Sequence, residues 1–333
     1  MATFIPLAKP DLSGNERKYL NEAIDEGWLT HGGSFESKFE RQFSAYTGVP
    51  ALATSSGTGA LHLALLCIGC GPGDEVIVPD LTFGATASVV ARCGATPILV
   101  DIGDDWGINW EHVLGRVTKR TRAVIPVHLY GEQCHIPERF PVPIIEDSCE
   151  GTWIKPTAKF SCFSFYGNKP ISTGEGGMVV GEDLSLVKKY RDGGFDSNYD
   201  MEVAGLNYRM TNLQAAVGCA QMERIDELVN TRMENAQHYA SRLAGRGKWL
   251  FVAEVANPVL LAGHLRAEGI DTRPVFRPLH LTQAFRKPGK FRKSTEVWEH
   301  GICLPTGPHV NRDDIDRICD LVKRHDHSNL RAA

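Results

Sequence analysis

The chain has 333 residues, of which 42% are hydrophobic and 23% are charged, and its formal net charge is −4. This length and composition are typical of a globular protein with a sizeable core and two domains. The weak negative charge, without a long basic block, argues against nucleic acid as a partner. No run of about 18 apolar residues occurs, so no membrane span or membrane partner is predicted.

The nine cysteines are scattered along the chain and odd in number. This pattern predicts reduced thiols in a cytoplasmic protein rather than a disulfide framework. Cys67 and Cys70 have the spacing of a zinc-binding pair. Because a structural zinc site needs a second such pair, which the sequence lacks, we predict no metal site.

Two helices are predicted in the first 46 residues. Ser13 and Glu16 have the spacing of a capping box, which predicts a first helix that ends at Gly27. A second amphipathic helix is predicted over residues 35–46 from its phenylalanine spacing. The glycine-rich loop between them, residues 27–33, has the composition of an inter-helix turn.

A short buried strand over residues 51–54 leads through Ser56-Gly57-Thr58 into an apolar helix. Free backbone N–H groups and the helix dipole point at one spot there, and the hydroxyls add donors. A ligand phosphate is the expected occupant. The alternative is a turn used only for packing, as in many α/β proteins.

Short apolar runs over residues 73–79, 96–102 and 123–131 alternate with helical patterns. This alternation predicts βα units and a mostly parallel sheet, so the fold class is α/β. Phe83 follows the first of these strands, where side chains face the crevice at the sheet edge. An aromatic ring there can stack on a flat ligand, although a core aromatic is the alternative.

The strand over residues 143–147 ends in acidic residues, at the edge where α/β sheets bind ligands. Asp147 and Glu150 are the candidate ligand-binding acids. The alternative is a solvated surface pair for Glu146 and Glu150, and a solvated surface acid for Asp147. The next buried strand, an aromatic run from residue 160, stops at Gly167 and is followed by Lys169. A lysine in a pocket wall is a candidate Schiff-base nucleophile, because a desolvated ammonium group loses its proton readily.

Thr211 is predicted to cap a long helix that continues to about residue 230 and links two domains. We predict a large domain over residues 1–230, whose N-terminal segment packs on the second domain. The second, smaller domain is predicted over residues 231–333.

Residues 164–169 together with 173–178 resemble the pyridoxal-phosphate lysine motif of the DegT/DnrJ/EryC1/StrS aminotransferases, which act mainly on nucleotide-linked keto-sugars. The resemblance covers about residues 5–325, and the motifs occur in the family's order. It implies the fold of type I pyridoxal-phosphate-dependent transferases, which is similar to aspartate aminotransferase. That fold has a large domain with a mostly parallel sheet and a smaller C-terminal α+β domain.

The resemblance also implies roles for individual residues. Lys169 binds pyridoxal phosphate and transfers protons, Asp147 pairs with the ring nitrogen, and Phe83 stacks on the ring. Glu150 contacts the ring hydroxyl, at a position where many relatives have Gln or His. The remaining residues implied to bind the cofactor are Ser56, Gly57, Thr58, Ser164 and Asn207.

Asn207 is implied to reach the cofactor of the neighbouring subunit, which predicts a homodimer with shared active sites. The implied substrate contacts are Thr30, His31, Arg209 and His280. For His280, a purely structural role is an equally compatible alternative.

The implied activity is transfer of an amino group from L-glutamate to a 4-keto-6-deoxy nucleotide-sugar. Residues 271–274 and the loop at residues 32–33 resemble the branch that includes the GDP-perosamine synthases, which serves amino-sugar, O-antigen and other surface polysaccharide synthesis. The alternatives are amination of a UDP-linked 4-keto or 3-keto sugar, dehydration, cyclitol amination, or a non-catalytic regulatory protein that binds pyridoxal phosphate. Lys169 favours transamination, since some dehydrating relatives have histidine there. Residues 132–143 and 152–161 look shortened, so no full helix is expected over residues 132–143.

Overall fold

The structure is a computed structural model that describes residues 4–330. The strands in this part of the chain are β1 (Ala51–Thr54), β2 (Glu75–Pro79), β3 (Thr96–Val100), β4 (Thr121–Val124), β5 (Ile145–Asp147), β6 (Phe160–Ser164), β7 (Gly177–Val180), β8 (Gly245–Arg246), β9 (Phe251–Glu254), β10 (Arg273–Pro274) and β11 (Gly301–Leu304).

The α-helices in the same range are α1 (Glu16–Asp25), α2 (Ser34–Thr47), α3 (Gly57–Cys67), α4 (Ala85–Arg92), α5 (Trp110–Leu114), α6 (Ser185–Arg191), α7 (Asn212–Met222), α8 (Ile225–Ala240), α9 (Pro258–Ala267), α10 (Arg292–His300) and α11 (Arg312–Leu330). Residues 132–143 contain no helix, as expected from their shortness.

The central sheet has two hydrogen-bonded parts, with strand orders β3-β2-β4 and β5-β6-β7-β1. Parallel bridges from Val124 to Ile144 and from Val127 to Asp147 join the two parts between β4 and β5. All neighbours run parallel except β7, which is antiparallel to both β6 and β1. Strands β2 and β6 are buried along their whole length, as expected for a sheet covered on both faces. The predicted α/β class with a mostly parallel sheet is confirmed.

The aromatic run of β6 supplies side chains to the cores on both faces of this sheet. Phe163 and Phe165 pack with Phe39 of α2 in one core. Phe160 and Cys162 pack in the other core, beneath α3 and α4. This alternation follows from the pleat of a strand, and it holds β6 in one register. The chain therefore leaves the sheet after Phe165 in a defined direction, toward Lys169.

A second sheet, with order β10-β11-β9-β8, lies in the C-terminal part of the chain and packs with α8, α9 and α11 around its own core. Ile5 of the N-terminal segment forms a parallel bridge with Ile270 beside this sheet. Helix α8 contributes Leu228 to a core of the central sheet and Tyr239 to the core of the second sheet. Residue 230 falls inside α8, and the predicted domain boundary there stays a prediction.

The predicted cap of the first helix is wrong. Asn15 occupies the N-cap position of α1 without a side-chain capping bond. Ser13 instead donates its hydroxyl to Asp11, which also forms an ion pair with Arg224. This ionic contact holds the segment before α1 against the start of α8, and Ser13 lies two residues before the N-cap position.

The predicted helix over residues 211–230 is two helices, α7 and α8, that meet at residues 223–224. Its predicted start is confirmed, because Thr211 and Gln214 form a capping box. Within residues 4–330, no helix combines the length and the apolar character needed to cross a bilayer.

Candidate active site

A cavity of about 450 Å³ opens beside the C-terminal ends of β1, β2, β5 and β6. Ligands of α/β proteins bind at this edge because the loops that follow the strands converge there. Eight of the predicted site residues line it: Ser56, Gly57, Thr58, Phe83, Asp147, Glu150, Ser164 and Lys169. The fold therefore brings the candidate lysine and the candidate carboxylate to the walls of one cavity.

One end of the cavity is formed by the N-terminus of α3. The Ser56 hydroxyl caps the helix by accepting a hydrogen bond of 3.0 Å from the Gly59 N–H. The N–H groups of the first helical turn have no acceptor within the helix, so they remain available to an anion. The Ser164 hydroxyl accepts from the Tyr166 N–H at 3.3 Å, which leaves its own proton to donate.

Gly57 allows this helix end to approach β6 closely. A Cβ atom at Gly57 would lie 2.7 Å from the Cys149 Sγ and 2.8 Å from the Ser164 Cβ. Only glycine fits between these side chains without a shift of the chain. The close approach places two hydroxyl-bearing segments on the same end of the cavity, which is the donor set that a phosphate group requires.

Asp147 ends β5 and is buried in the cavity wall. Its Oδ2 accepts a hydrogen bond of 2.8 Å from the Thr86 hydroxyl, and its Oδ1 accepts from the Cys149 N–H at 3.2 Å. Both oxygens are thereby fixed. Sequence reasoning missed Thr86, which lies 61 residues away in α4 and has no motif that marks it.

Lys169 lies in the turn after β6, and its side chain is only 11% exposed. Its Nζ is 4.0 Å from the Glu150 Oε1 and 3.6 Å from the centre of the Trp249 ring. A carboxylate and an aromatic face both attract an ammonium group. Trp249 comes from the C-terminal part of the chain and was not predicted, because a contact at that sequence distance leaves no local signal.

Glu150 is buried beside this amine. Its Oε2 accepts a hydrogen bond of 2.6 Å from the Tyr130 N–H. Burial raises the pKa of the Glu150 carboxyl to about 7, against the opposing effect of the nearby Lys169 ammonium. The carboxyl group therefore changes its protonation state near neutral pH, whereas an exposed glutamate stays charged there.

Tyr130 has a left-handed backbone conformation, with φ of 52°, which is strained for a residue with a side chain. Its ring is stacked between Trp249 and Phe276, at centroid distances of 6.2 and 5.1 Å. Its hydroxyl accepts from the Phe276 N–H at 3.0 Å. These contacts hold the strained residue in place, and sequence reasoning did not identify it.

Phe83 lies near the end of the loop between β2 and α4, and it is 58% exposed while it lines the cavity. Its ring centre is 5.7 Å from that of Phe276, in a tilted arrangement. The alternative of a core aromatic is therefore wrong. An exposed ring on a cavity wall can stack on a planar ligand, which is the predicted role.

Five predicted residues do not line the cavity in this chain: Thr30, His31, Asn207, Arg209 and His280. Asn207 is exposed and forms an isolated bridge with Asp192, and Arg209 donates to the carbonyl oxygen of the same Asp192. His280 bonds through its Nδ1 to the Oδ2 of buried Asp80 at 2.6 Å and stacks on Phe291. Within one chain, these contacts give His280 a structural role, which was the alternative to substrate contact.

Arg273 lines the cavity from the segment that the sequence pointed to, residues 271–274. Its side chain is exposed, and it takes part in none of the ion pairs found in residues 4–330. An unpaired guanidinium group in a cavity wall attracts phosphate and carboxylate groups of a ligand.

Comparison with known proteins identifies the family. Residues 10–323 match the model of the DegT/DnrJ/EryC1/StrS aminotransferase family. The chain is 37% identical to the GDP-perosamine synthase of Caulobacter vibrioides, over 94% of this chain and 96% of that protein. It is 35% identical to the GDP-perosamine synthase of Vibrio cholerae, over 96% of this chain and 99% of that protein. The first alignment spans 356 positions, more than this chain's 333 residues, so this chain has deletions relative to that protein.

Among solved structures, the chain is similar to the putative sugar aminotransferase Spr1654 from Streptococcus pneumoniae. In its PMP form that protein has a TM-score of 0.90 and 25% identity, over 99% of each chain. In its PLP form the TM-score is 0.89. The predicted fold is confirmed by this likeness.

The residues of the cavity fit pyridoxal phosphate. The α3 end supplies donors for a phosphate group, and the Gly57 backbone lies where a Cβ atom would collide with its neighbours. The fixed Asp147 carboxylate suits a protonated ring nitrogen, and Lys169 supplies an amine. The chain belongs to the DegT/DnrJ/EryC1/StrS aminotransferase family and is a pyridoxal-phosphate-dependent aminotransferase, as the sequence predicted.

Proposed function

We propose that the protein transfers the amino group of L-glutamate to C4 of a GDP-linked 4-keto-6-deoxy sugar, in the synthesis of amino-sugars for surface polysaccharides. The observation that carries this proposal is that Lys169 and Asp147 line one cavity next to an anion-binding turn. The choice of sugar rests on the two GDP-perosamine synthases at 35–37% identity, which cover nearly all of this chain.

Three parts of the cavity would hold the cofactor. Lys169 would bind pyridoxal phosphate through its side-chain amine, and Asp147 would pair with the ring nitrogen of the cofactor. The Ser56–Thr58 turn together with Ser164 would bind the phosphate group. When bound, this group supplies an electron sink that stabilises negative charge on the carbon that loses a proton. Phe83 offers the ring face that keeps the planar group in one orientation.

The protein's own part in the chemistry is proton transfer and charge placement. In its neutral form, the Lys169 Nζ would take the proton from the glutamate carbon that carries the amino group. It would later give a proton to the sugar carbon that receives the amino group. The Asp147 carboxylate, fixed by Thr86, would stabilise the positive charge of a protonated ring nitrogen. Arg273 provides a positive charge for the phosphates of the sugar nucleotide or the carboxylates of glutamate.

The experiment is a transamination assay with purified protein, pyridoxal phosphate and glutamate. A GDP-linked 4-keto-6-deoxy sugar should give the amino-sugar and 2-oxoglutarate, with a higher kcat/KM than the UDP-linked 4-keto and 3-keto sugars. Lys169→Ala protein serves as the inactive control. A higher kcat/KM with a UDP-linked sugar would favour the alternative substrate class. Failure of every keto-sugar would favour a regulatory protein that binds the cofactor without turnover.

We infer that a second copy of the chain completes the site, so that the enzyme is a homodimer. Asn207 is exposed outside its own cavity, on a hairpin that also exposes Phe195, Tyr199 and Met201. Large apolar side chains exposed together are typical of an interface.

The nine free cysteines suit the reducing cytoplasm, where we place the enzyme.

Subunit mixing tests whether the sites are shared. Lys169→Ala and Asn207→Ala proteins are each expected to be impaired. If the sites are shared, an equal mixture of the two variants, refolded together, should regain about a quarter of the wild-type activity. About half of the dimers are then mixed, and one of the two sites in each mixed dimer is intact. A mixture that gains nothing over its components, although mixed dimers form, would contradict the inference.

A further inference from the structure

The amine of Lys169 contacts two side chains, Glu150 and Trp249, to which the proposed function assigns no part in positioning it. It lies 4.0 Å from the Glu150 carboxylate and 3.6 Å from the centre of the Trp249 ring. The cavity around it measures about 450 Å³, which is far more room than one amine needs. A flexible lysine in such a space would sample many positions unless specific contacts favoured one.

Both of these side chains are themselves fixed, and Tyr130 takes part in fixing each of them. The Tyr130 N–H donates to Glu150, while the Tyr130 ring stacks on Trp249 at an angle of 16°. The Trp249 Nε1 also donates to the Asn168 carbonyl oxygen at 2.7 Å, next to Lys169 in the chain. The left-handed φ of Tyr130 aims its N–H and its ring at these two neighbours.

We propose that Glu150 and Trp249 are positioning residues that form a resting site for the Lys169 ammonium whenever this amine is not joined to the cofactor. The carboxylate attracts the charge and the indole face receives it, so the protonated amine stays against one wall of the cavity. This proposal rests on the proposed role of Lys169 as the cofactor lysine. It goes beyond the predicted contact of Glu150 with the ring hydroxyl.

The resting site should depend on pH through Glu150. The titratable groups that face this carboxyl are Lys169, Asp147, the Tyr130 hydroxyl and the Cys303 thiol. Burial raises the pKa of Glu150 to about 7, and it raises the pKa of the Tyr130 hydroxyl and of the thiol well above neutral, so the latter two stay neutral. Glu150 is charged above its pKa and neutral below it. The ionic hold on Lys169 is therefore present above about pH 7 and lost below it.

Reactivity of the amine measures this hold directly and needs no catalysis. Full-length protein freed of cofactor is treated with an acetylating ester between pH 6 and pH 9, and modification of Lys169 is quantified by peptide mass spectrometry. Because the amine must leave the Glu150 carboxylate in order to react, Glu150→Gln should speed modification of Lys169 about tenfold at pH 8.5, as expected for loss of a buried ionic contact. The same variant should match the wild type at pH 6. Trp249→Phe should give a smaller increase, about threefold.

Two controls separate this hold from a general change of the cavity. Glu175→Gln removes another carboxylate that lines the cavity, and it should leave the rate at Lys169 within about twofold. Exposed Lys159 in the same samples is an internal reference. Glutamine at position 150 can still accept the Tyr130 N–H, so near-ultraviolet circular dichroism should stay unchanged.

Equal rates in the wild type and in Glu150→Gln at pH 8.5 would overturn the proposal. An equal increase in Glu175→Gln would overturn it as well. The proposed function fails separately, if Lys169→Ala retains transaminase activity.

Discussion

The two ends of the active site differ in how they are built. At the cofactor end, Asp147 and Glu150 are buried, and each has hydrogen-bond partners within its own chain. By contrast, Thr30, a predicted substrate contact, and Asn207, predicted to reach the cofactor of the neighbouring subunit, are exposed and lie outside the cavity. One chain thus brings Asp147 and Glu150 to the cavity, whereas it does not bring Thr30 or Asn207 there.

This difference follows from where the residues lie in the fold. Asp147 and Ser164 are the last residues of β5 and β6, and neighbouring parallel strands end at one edge of a sheet. Register therefore fixes their separation. The substrate candidates Thr30, His31 and Arg209 lie in loops, and Asn207 lies on the hairpin over residues 192–207. Such segments are more mobile than the edge of a sheet.

The largest expected effect tests the cofactor end. Lys169→Ala should lower transaminase activity by at least about 10⁴-fold, because it removes both the cofactor's attachment and the acid–base group. The absorbance at about 410–430 nm after addition of the cofactor should also be absent. Exposed Lys159→Ala should behave as the wild type. Full activity of Lys169→Ala would mean that Lys169 is not the cofactor lysine and that the cofactor end is wrongly assigned.

Asp147→Asn should lower kcat by about 10²–10³-fold, because it removes the buried charge that we propose pairs with the ring nitrogen. Asparagine can still accept the Thr86 hydroxyl proton, so the fold should be kept. Steady-state kinetics together with the absorbance of bound cofactor measure this effect. Asp183→Asn, at a fully exposed acid, is the matched control. An unchanged kcat would show that the carboxylate serves packing alone.

Gly177→Ala should weaken cofactor binding at least about tenfold and destabilise the fold by about 1–3 kcal/mol. A Cβ atom there would lie 2.4 Å from the backbone carbon of Ser56, so the phosphate turn must shift. Cofactor titration and thermal unfolding report the two effects. Gly71→Ala, with open space around it, should change neither. Normal binding in the Gly177 variant would show that the turn tolerates displacement.

The smallest effect on catalysis is expected at His280. His280→Ala should destabilise the fold by about 1–3 kcal/mol, because buried Asp80 loses its imidazole partner. The KM for the sugar nucleotide should stay within about twofold. Exposed His112→Ala is the control for stability. A KM raised more than tenfold at unchanged stability would move His280 to the substrate end and blur the contrast between the two ends.

The sequence was informative wherever a site residue directly follows a buried strand. Asp147 and Lys169 could be identified because an apolar run ends just before each of them and because both match a family motif. The Ser56-Gly57-Thr58 turn was recognisable for the same reason. For such residues, the sequence pattern that predicts their position lies within about ten residues along the chain.

Residues that support the site from a distance could not be found in this way. Thr86 and Trp249 reach Asp147 and Lys169 across the fold, and neither has a local pattern that marks it. The positive φ of Tyr130 is equally invisible, since tyrosine rarely adopts it and the surrounding contacts impose it. The misplaced cap at Ser13 has the same origin, because a distant ionic contact outweighed a local preference.

The pairing of β1 with β7, which lies more than 120 residues later in the chain, has a consequence for synthesis of the protein. Strand β1 leaves the ribosome within the first 54 residues, but β7, with which it pairs, ends at Val180. A contact between segments so far apart forms late, after the intervening chain has been ordered. Nascent chains stalled before residue 180 should therefore be unable to take up the coenzyme, however long they are left in its presence.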